Sequence, residues 1–181
     1  MFREDKATQM AARFLHHANG RMEYLKLIGL LYLADKTMLQ RCGEPIVYDT
    51  WYSTAKGPIL GATYDLIKAD AQPYDDFWAK HVRTVDHEVV LQAEPGNDGL
   101  SRAEINIIDE VFAEYGNTDC WDVDKLTHDF PEWCNPGNSR IPIHYRDVLE
   151  QNGLTQSEIQ DILDNIVSQD VLPRALLGIT G

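Results

Sequence analysis

Two cysteines and two histidines in the second half of the chain are the residues most suited to nucleophilic chemistry. Cys120 and Cys134 flank His128, and His144 follows. A cysteine becomes a nucleophile when a neighbouring base is available and the thiol is exposed, so these residues form a candidate Cys/His set. Their spacing does not orient a thiol toward an imidazole. Cysteine is among the most buried residue types, so packing of the thiols in the core is the favoured alternative.

The same residues, Cys120, His128 and Cys134, are also of the types that bind zinc. Their spacing matches neither the paired cysteines nor the paired histidines of familiar zinc sites. No phosphate-binding loop, dinucleotide-binding glycine pattern, GxSxG or HExxH motif occurs in the chain. The sequence therefore predicts no metal, no cofactor and no catalytic residues, and a protein that is not an enzyme.

Asp35 and Lys56 form a second candidate pair. Asp35 ends a nearly continuous apolar run that begins at Leu25, and Lys56 directly precedes Gly57 and Pro58. An ion pair forms if the strand between them folds back, and it would fix the register of that strand more than it would stabilise the fold, because desolvation offsets much of the attraction. Two separately solvated charges explain the spacing equally well.

His128 and Trp133 form a third candidate pair, near the end of a short predicted helix. A cationic His128 would be stabilised by the helix dipole, and Trp133 lies within reach in the following DFPEW segment. A helix end packed against an aromatic ring explains the pattern as well as a partner-binding role does.

The elements that must position these residues are mostly helical. KATQMAARFLHHANG predicts an amphipathic helix ending at Gly20, and residues 21–41 predict a central helix that is apolar on most faces. Capping boxes at Ser101 and at Thr155 predict the starts of two later helices. The segment CWDVDKLTHDF between them predicts a shorter helix.

Strands interrupt these helices in two places. IVYDTWYSTA predicts one strand, and HVRTVDHEVVLQAE predicts a hairpin that turns near residues 86–88. KGPILGATYDLIKAD predicts a helix with Pro58 near its first position. The expected fold is mainly α with a small antiparallel β-sheet of about three strands, an α+β helical bundle around a central buried helix.

Composition indicates one cytoplasmic domain spanning residues 1–181. The charged N-terminus, the absence of an apolar run long enough to span a bilayer, and three unpaired cysteines predict a reducing compartment and no membrane partner. A net charge of -13 makes nucleic acid an unfavoured partner and favours a basic protein, although acidity also serves solubility.

Several ordered blocks resemble the Panacea domain, the SocA-like antitoxin family of bacteria and phages. The first is KLIGLLYLADKTMLQRCGEPIVYDTWYSTAKGPILGATYDLIK, and LSRAEINIIDEVFAEYG, KLTHDFPEW and IPIHYRDVL follow. The similarity covers about residues 20–150. The positions that match the family pattern are Tyr32, Asp35, Gly43, Pro45, Ile46, Lys56, Gly57, Pro58, Tyr115, Gly116, His128 and Trp133. Gly29 departs from the pattern, and a glycine inside a helix predicts the close approach of another segment.

The resemblance implies an antitoxin that binds and neutralises a toxin, usually encoded beside it. The alternatives are an adaptor that delivers the toxin to a protease or unfoldase and, from another class, a Cys/His-dependent hydrolase or modifying enzyme. The shared positions fit a scaffold role as well as a binding role. Asp35, Lys56, His128 and Trp133 are therefore candidates for a family motif or for partner binding.

Overall fold

Helices make up most of the regular structure in residues 1–69, 77–169 and 177–178, the residues that the computed structural model describes. The helices are α1 (Glu4–His17), α2 (Tyr24–Cys42), α3 (Gly61–Lys68), α4 (Phe77–His81), α5 (Arg102–Tyr115), α6 (Cys120–His128), α7 (Tyr145–Leu149) and α8 (Gln156–Gln169). The strands are β1 (Arg21–Glu23), β2 (Trp51–Thr54), β3 (Gly57–Leu60), β4 (Val82–Val85), β5 (Glu88–Leu91) and β6 (Ile141–Ile143). The predicted α+β class is confirmed. Asp70, the last residue of the predicted helix 56–70, lies outside the described residues.

Helix α2 is the centre of the molecule, as its apolar sequence predicted. It is buried along most of its length and contacts α1, α5, α6, α7 and β3. Its first predicted turn is instead strand β1, since Asn19 and Gly20 adopt positive φ angles and turn the chain so that Arg21 pairs with Val90 of β5.

The described strands form two antiparallel sheets of three strands each, so the prediction of a single small sheet was incomplete. One sheet has the order β1-β5-β4 and contains the predicted hairpin, with Asp86 in the left-handed region at its turn. The other has the order β3-β2-β6. Strand β2 thus pairs on both sides, with Trp51 opposite Leu60 and Ile143.

The predicted helix start at Pro58 was wrong. Pro58 lies in β3 opposite Ser53, where the lack of an N–H is tolerated because β3 is an edge strand. Helix α3 begins three residues later at Gly61. A Cβ on Gly61 would lie 2.7 Å from the ring of Tyr52 and 3.0 Å from the carbonyl oxygen of Thr50, so only glycine fits without a shift.

Both predicted capping boxes are present. The hydroxyl of Ser101 accepts a hydrogen bond from the amide of Glu104 (3.1 Å), whose carboxylate accepts one from the amide of Ser101 (2.8 Å). Thr155 and Glu158 repeat this exchange at the start of α8, at 3.2 and 2.8 Å. These local signals were sufficient to place both helix starts.

Candidate functional site

Asp35 lies on the buried face of α2, and its carboxylate binds the chain that follows the helix. One oxygen accepts hydrogen bonds from the amides of Ile46 (2.7 Å) and Val47 (3.1 Å), and the other accepts one from Nε1 of Trp51 (2.8 Å). Asp35 is fully buried. The carboxylate therefore accepts the amide hydrogen bonds of residues 46 and 47 that a neighbouring strand would otherwise accept, and this fixes the start of β2.

The protonation of Asp35 reflects two opposing effects. Burial raises the pKa of this carboxyl to about 7, while the hydrogen bonds from Trp51, Ile46 and Val47 favour the charged form and limit the rise. The nearby carboxylate of Asp49 adds a further upward contribution to the pKa.

Asp49 is a second buried carboxylate, and sequence analysis missed it. Its oxygens accept hydrogen bonds from the amides of Ala62 (2.8 Å) and Thr63 (2.9 Å) and from the Thr63 hydroxyl (2.8 Å) at the start of α3. The backbone carbonyl of Asp49 accepts a hydrogen bond from the hydroxyl of Tyr145 (2.6 Å). Burial raises the pKa of the Asp49 carboxyl. A cap supplied from so far along the chain leaves no local sequence signal.

The predicted ion pair between Asp35 and Lys56 is not formed. One Asp35 oxygen accepts from the amides of residues 46 and 47, and the other accepts from the indole N–H of residue 51. Lys56 is exposed in the turn between β2 and β3. Within the part of the chain that the structure describes, no ion pair joins the two side chains. The carboxylate of Asp35 is buried, and it accepts hydrogen bonds from neutral donors instead of pairing with a charged group.

His128 and Trp133 do lie together, as predicted. Their ring centroids are 4.2 Å apart with the rings edge to face. Nδ1 of His128 is 2.6 Å from the carbonyl oxygen of Asp124, and Nε2 is 3.3 Å from that of Ala55. The indole N–H of Trp133 donates to the carbonyl oxygen of Thr54 (2.9 Å). The two rings thus hold the turn between β2 and β3 against the end of α6.

The same turn explains one further residue of the family pattern. Gly57 has a φ of 107°, a backbone conformation that side chains rarely adopt. A Cβ on Gly57 would lie 3.0 Å from Oγ1 of Thr127 and 3.7 Å from the ring of His128. The structure therefore brings Lys56, His128 and Trp133 to one turn and leaves Asp35 in the core, without a hydrogen bond or ion pair to any of the three among the described residues.

A buried ion pair that sequence analysis missed lies between α2 and the segment after α6. Nζ of Lys36 is 2.7 Å from a carboxylate oxygen of Glu132, and the two side chains are 8% and 0% exposed. Glu132 also accepts hydrogen bonds from the Tyr32 hydroxyl (2.7 Å) and from Nε2 of Gln151 (2.9 Å). The Lys36 ammonium lies 3.5 Å from the ring centroid of Phe130.

The electrostatics of this cluster follow from burial and pairing. Burial lowers the pKa of Lys36 and outweighs the opposing attraction of Glu132. Burial alone would raise the pKa of Glu132, but the hydrogen bonds from Lys36, Tyr32 and Gln151 hold it below its ordinary value. Tyr32 is one of the positions that match the family pattern, and Glu132 accepts the hydrogen bond of its hydroxyl group.

The cysteines are not packed in the core, so that interpretation was wrong. Cys42 and Cys134 are exposed and Cys120 is half-buried. A hydrogen bond to Glu23 raises the pKa of the Cys120 thiol to about 11, which leaves little thiolate near neutral pH. Cys120 and His128 lie at opposite ends of α6, which at 1.5 Å per residue separates their backbones by about 12 Å.

The described residues contain neither a metal-binding cluster nor a membrane-spanning helix. In residues 1–69, 77–169 and 177–178, no three His, Cys, Asp or Glu side chains come close enough together to hold a metal ion. Among the helices of the same residues, none combines the length and the apolar character that crossing a bilayer requires.

Comparison with known protein families gives a match over the central part of the chain. The family described as "Antitoxin SocA-like, Panacea domain" matches residues 27–134, more than half of the chain. The matched range contains Asp35, Asp49, the Lys36–Glu132 pair and the turn held by His128 and Trp133. Searches of curated proteins and of solved structures found no significant match.

Proposed function

Because the chain belongs to the SocA-like antitoxin family with a Panacea domain, we propose that it neutralises a toxin by binding it directly. The observation that carries the proposal is the family match across residues 27–134. The residues most characteristic of the pattern act within the molecule, where they fix a turn or a strand. The binding surface is then the exposed surface that this scaffold carries.

We assign Asp35, His128 and Trp133 to the scaffold and not to the toxin contact. Asp35 is fully buried, and both rings of the other pair are engaged with backbone carbonyl groups of residues 54, 55 and 124. Lys56 is exposed and remains a candidate for direct contact. A domain that uses shared positions for its own folding is free to vary its outer surface.

The toxin expected for this antitoxin has a basic face. The net charge of -13 attracts a partner with clustered lysine and arginine residues and speeds their encounter. No catalytic step is part of the proposal. The raised pKa of Cys120 and its distance from His128 along α6 weigh against Cys120 as the nucleophile of a Cys/His enzyme. Cys134 is exposed and is the other candidate thiol of that alternative.

Growth of cells that express the neighbouring reading frame tests the antitoxin function. The neighbour is expressed alone and together with this protein from a second promoter. We expect the neighbour to arrest growth and this protein to restore it. A harmless neighbour, or toxicity that this protein leaves unchanged, would refute the proposal.

Toxin lifetime in the rescued cells separates direct masking from delivery to a protease. A masking antitoxin leaves the lifetime of the toxin unchanged or longer, whereas an adaptor shortens it. The enzyme alternative has its own test, because a catalytic thiol reacts quickly with iodoacetamide near neutral pH. We expect neither Cys120 nor Cys134 to show the fast reaction of a catalytic thiol, and rescue to persist in Cys120→Ser and Cys134→Ser variants.

A further inference from the structure

Trp121 is the largest apolar side chain left exposed in the described part of the chain. It lies in the first turn of α6 and is 63% exposed. The other exposed large apolar side chains of that part are Met1, Val85 and Ile141, each of which is smaller. Tryptophan is the residue most enriched among those that dominate binding energy at protein interfaces. Its exposure therefore needs an explanation that packing among the described residues does not provide.

Helix α6 presents Trp121 from a rigid base. Its inner face carries Val123 and Thr127, which are buried. Val123 packs so closely on α2 that a Cβ added to Gly29 would lie 2.7 Å from Cγ1 of Val123. The start of α6 is capped by Asp119, whose carboxylate accepts a hydrogen bond from the Trp121 amide (2.8 Å). Little backbone entropy is lost when a side chain on such a base is bound.

A small depression lies toward the inner face of α6. Val123 and Thr127 of the buried face line it together with Asp124, and Lys56 lies at the same depression. Trp121 is not part of this lining, so it is a single exposed apolar side chain and not the edge of a larger apolar surface.

The charges around Trp121 are mainly negative. Residues 119–129 contain four aspartates and one lysine, namely Asp119, Asp122, Asp124, Asp129 and Lys125. Asp119, Asp122 and Asp129 are exposed, and so is Glu23, which hydrogen-bonds the neighbouring Cys120 thiol. A second copy of this chain would bring the same negative charges together, whereas a basic surface would be attracted to them.

We propose that Trp121 is the anchor of the toxin-binding surface, inserting into an apolar pocket of the toxin that is rimmed by lysine and arginine. This inference rests on the proposed antitoxin function and adds the place of contact to it. The aspartates that surround Trp121 steer the basic rim into register.

Binding of the purified product of the neighbouring reading frame tests this surface. The variants are Trp121→Ala and, as matched controls on other exposed apolar residues, Val85→Ala and Ile141→Ala. We expect Trp121→Ala to keep the thermal midpoint of the wild type and to weaken binding by about tenfold or more. The controls should bind as the wild type does.

The outcomes separate the surface from the function. If the wild type and Trp121→Ala bind the product equally, the surface is wrong and the antitoxin function stands. If the wild type neither binds the product nor rescues growth, the proposed surface and the antitoxin function are both refuted. Sedimentation of this protein alone adds one outcome, because a dimer that dissociates in Trp121→Ala would make a second copy the occupant and overturn the toxin contact.

A second experiment, with variants that remove negative charges, tests the aspartates independently of Trp121. The double variant Asp122→Asn/Asp129→Asn should slow association with the same product several-fold and leave dissociation almost unchanged. The control Asp161→Asn/Asp164→Asn removes two exposed charges from α8 and should have a smaller effect. Equal slowing by both pairs would remove the local role of the α6 aspartates.

Discussion

Single buried carboxylates hold much of this molecule together, and Asp35 is the clearest case. Three donors point at it, and two of them are backbone amides that have no other acceptor among the described residues. A buried donor that loses its acceptor costs about 1 to 3 kcal/mol. The residue therefore affects stability far more than its single side chain would suggest.

Replacing Asp35 tests this role. Asp35→Ala should lower the free energy of unfolding by about 3 kcal/mol or more, because three buried donors lose their acceptor together. Urea denaturation followed by circular dichroism measures the change. Asp161→Ala, at an exposed site on α8, should change stability by no more than about 0.5 kcal/mol. Similar losses in the two variants would contradict the role of Asp35.

The pKa of Asp35 predicts a pH dependence of stability. Its folded pKa is about 7 against an ordinary value of 3.8, so the folded state keeps a proton that the unfolded state releases. The contribution of Asp35 to stability is therefore complete below pH 3.8 and is lost as pH rises through about 7. The stability advantage of the wild type over Asp35→Asn should grow as pH falls from 7 to 4, by up to about 1.4 kcal/mol per unit. Parallel pH profiles of the two proteins would show that Asp35 does not titrate in this range.

The Lys36–Glu132 pair predicts a double-mutant effect. Glu132→Gln leaves a buried ammonium without its counter-charge and should cost about 3 to 5 kcal/mol in unfolding free energy. Adding Lys36→Met removes the unpaired charge, so the double variant should recover a large part of that loss. Denaturant titration of the wild type, both single variants and the double variant gives the coupling energy. A double variant less stable than Glu132→Gln would show that the ammonium is not the source of the loss.

At the scale of single residues, sequence analysis singled out Asp35, but as a candidate partner of Lys56 and not as an acceptor for backbone amides. The sequence offered an ion pair with Lys56 or a solvated charge, whereas Asp35 is buried and its partners include backbone amides, which carry no signal in the side-chain sequence. Glu132 was missed because its partner Lys36 lies far away along the chain, directly after the apolar run of α2. Of the candidate pairs Asp35–Lys56 and His128–Trp133, the second does meet, since one short turn joins its two residues.

The contact between α2 and α6 is the decisive one at the scale of elements. Gly29 has no side chain at the point where Val123 approaches, and this close approach was predicted from a glycine inside a helix. Alanine normally stabilises a helix by about 1 kcal/mol relative to glycine. The helix contact reverses that preference here.

Gly29→Ala should therefore destabilise the protein by about 1 to 3 kcal/mol, because its Cβ overlaps Cγ1 of Val123. In a Val123→Ala background the same change should be neutral or stabilising, since the methyl group then has space. Thermal unfolding of the four proteins measures this reversal of sign. If Gly29→Ala is stabilising in both backgrounds, the two helices are able to separate without cost.

Elements with local signals were predicted well, and those with distant partners were not. The capping boxes of α5 and α8 and the hairpin of β4 and β5 are complete within short segments. Pro58 was assigned to a helix because a proline before an apolar stretch is typical of a first turn. The segment is a strand instead, because it pairs with β2 and the pairing cannot be read from either segment alone.

At the scale of the whole molecule, the net charge of -13 sets how a basic partner would approach. Raising the ionic strength from about 0.01 to about 0.1 M shortens the range of this attraction from about 30 to about 10 Å. Association with the product of the neighbouring reading frame should slow by about tenfold, with little change in dissociation. Stopped-flow mixing measures both rates. An association rate that does not respond to salt would remove the electrostatic part of the proposed function.

The fold as a whole follows the sequence in its class and in its central helix, but not in its second sheet. That sheet requires β6, a strand of three residues that contains Pro142 and has weak strand character alone. Strand β6 forms because β2 offers it an unpaired edge. Such an element depends on the rest of the fold and has little independent signal.

The position of β6 has a consequence for synthesis on the ribosome. Trp51 of β2 pairs with Ile143 of β6, about 90 residues further along the chain. At about 5 to 20 residues per second, the far edge of β2 waits roughly 5 to 20 s for its partner. During that interval the nascent chain presents an open strand edge, which makes translation speed between the two strands a determinant of yield.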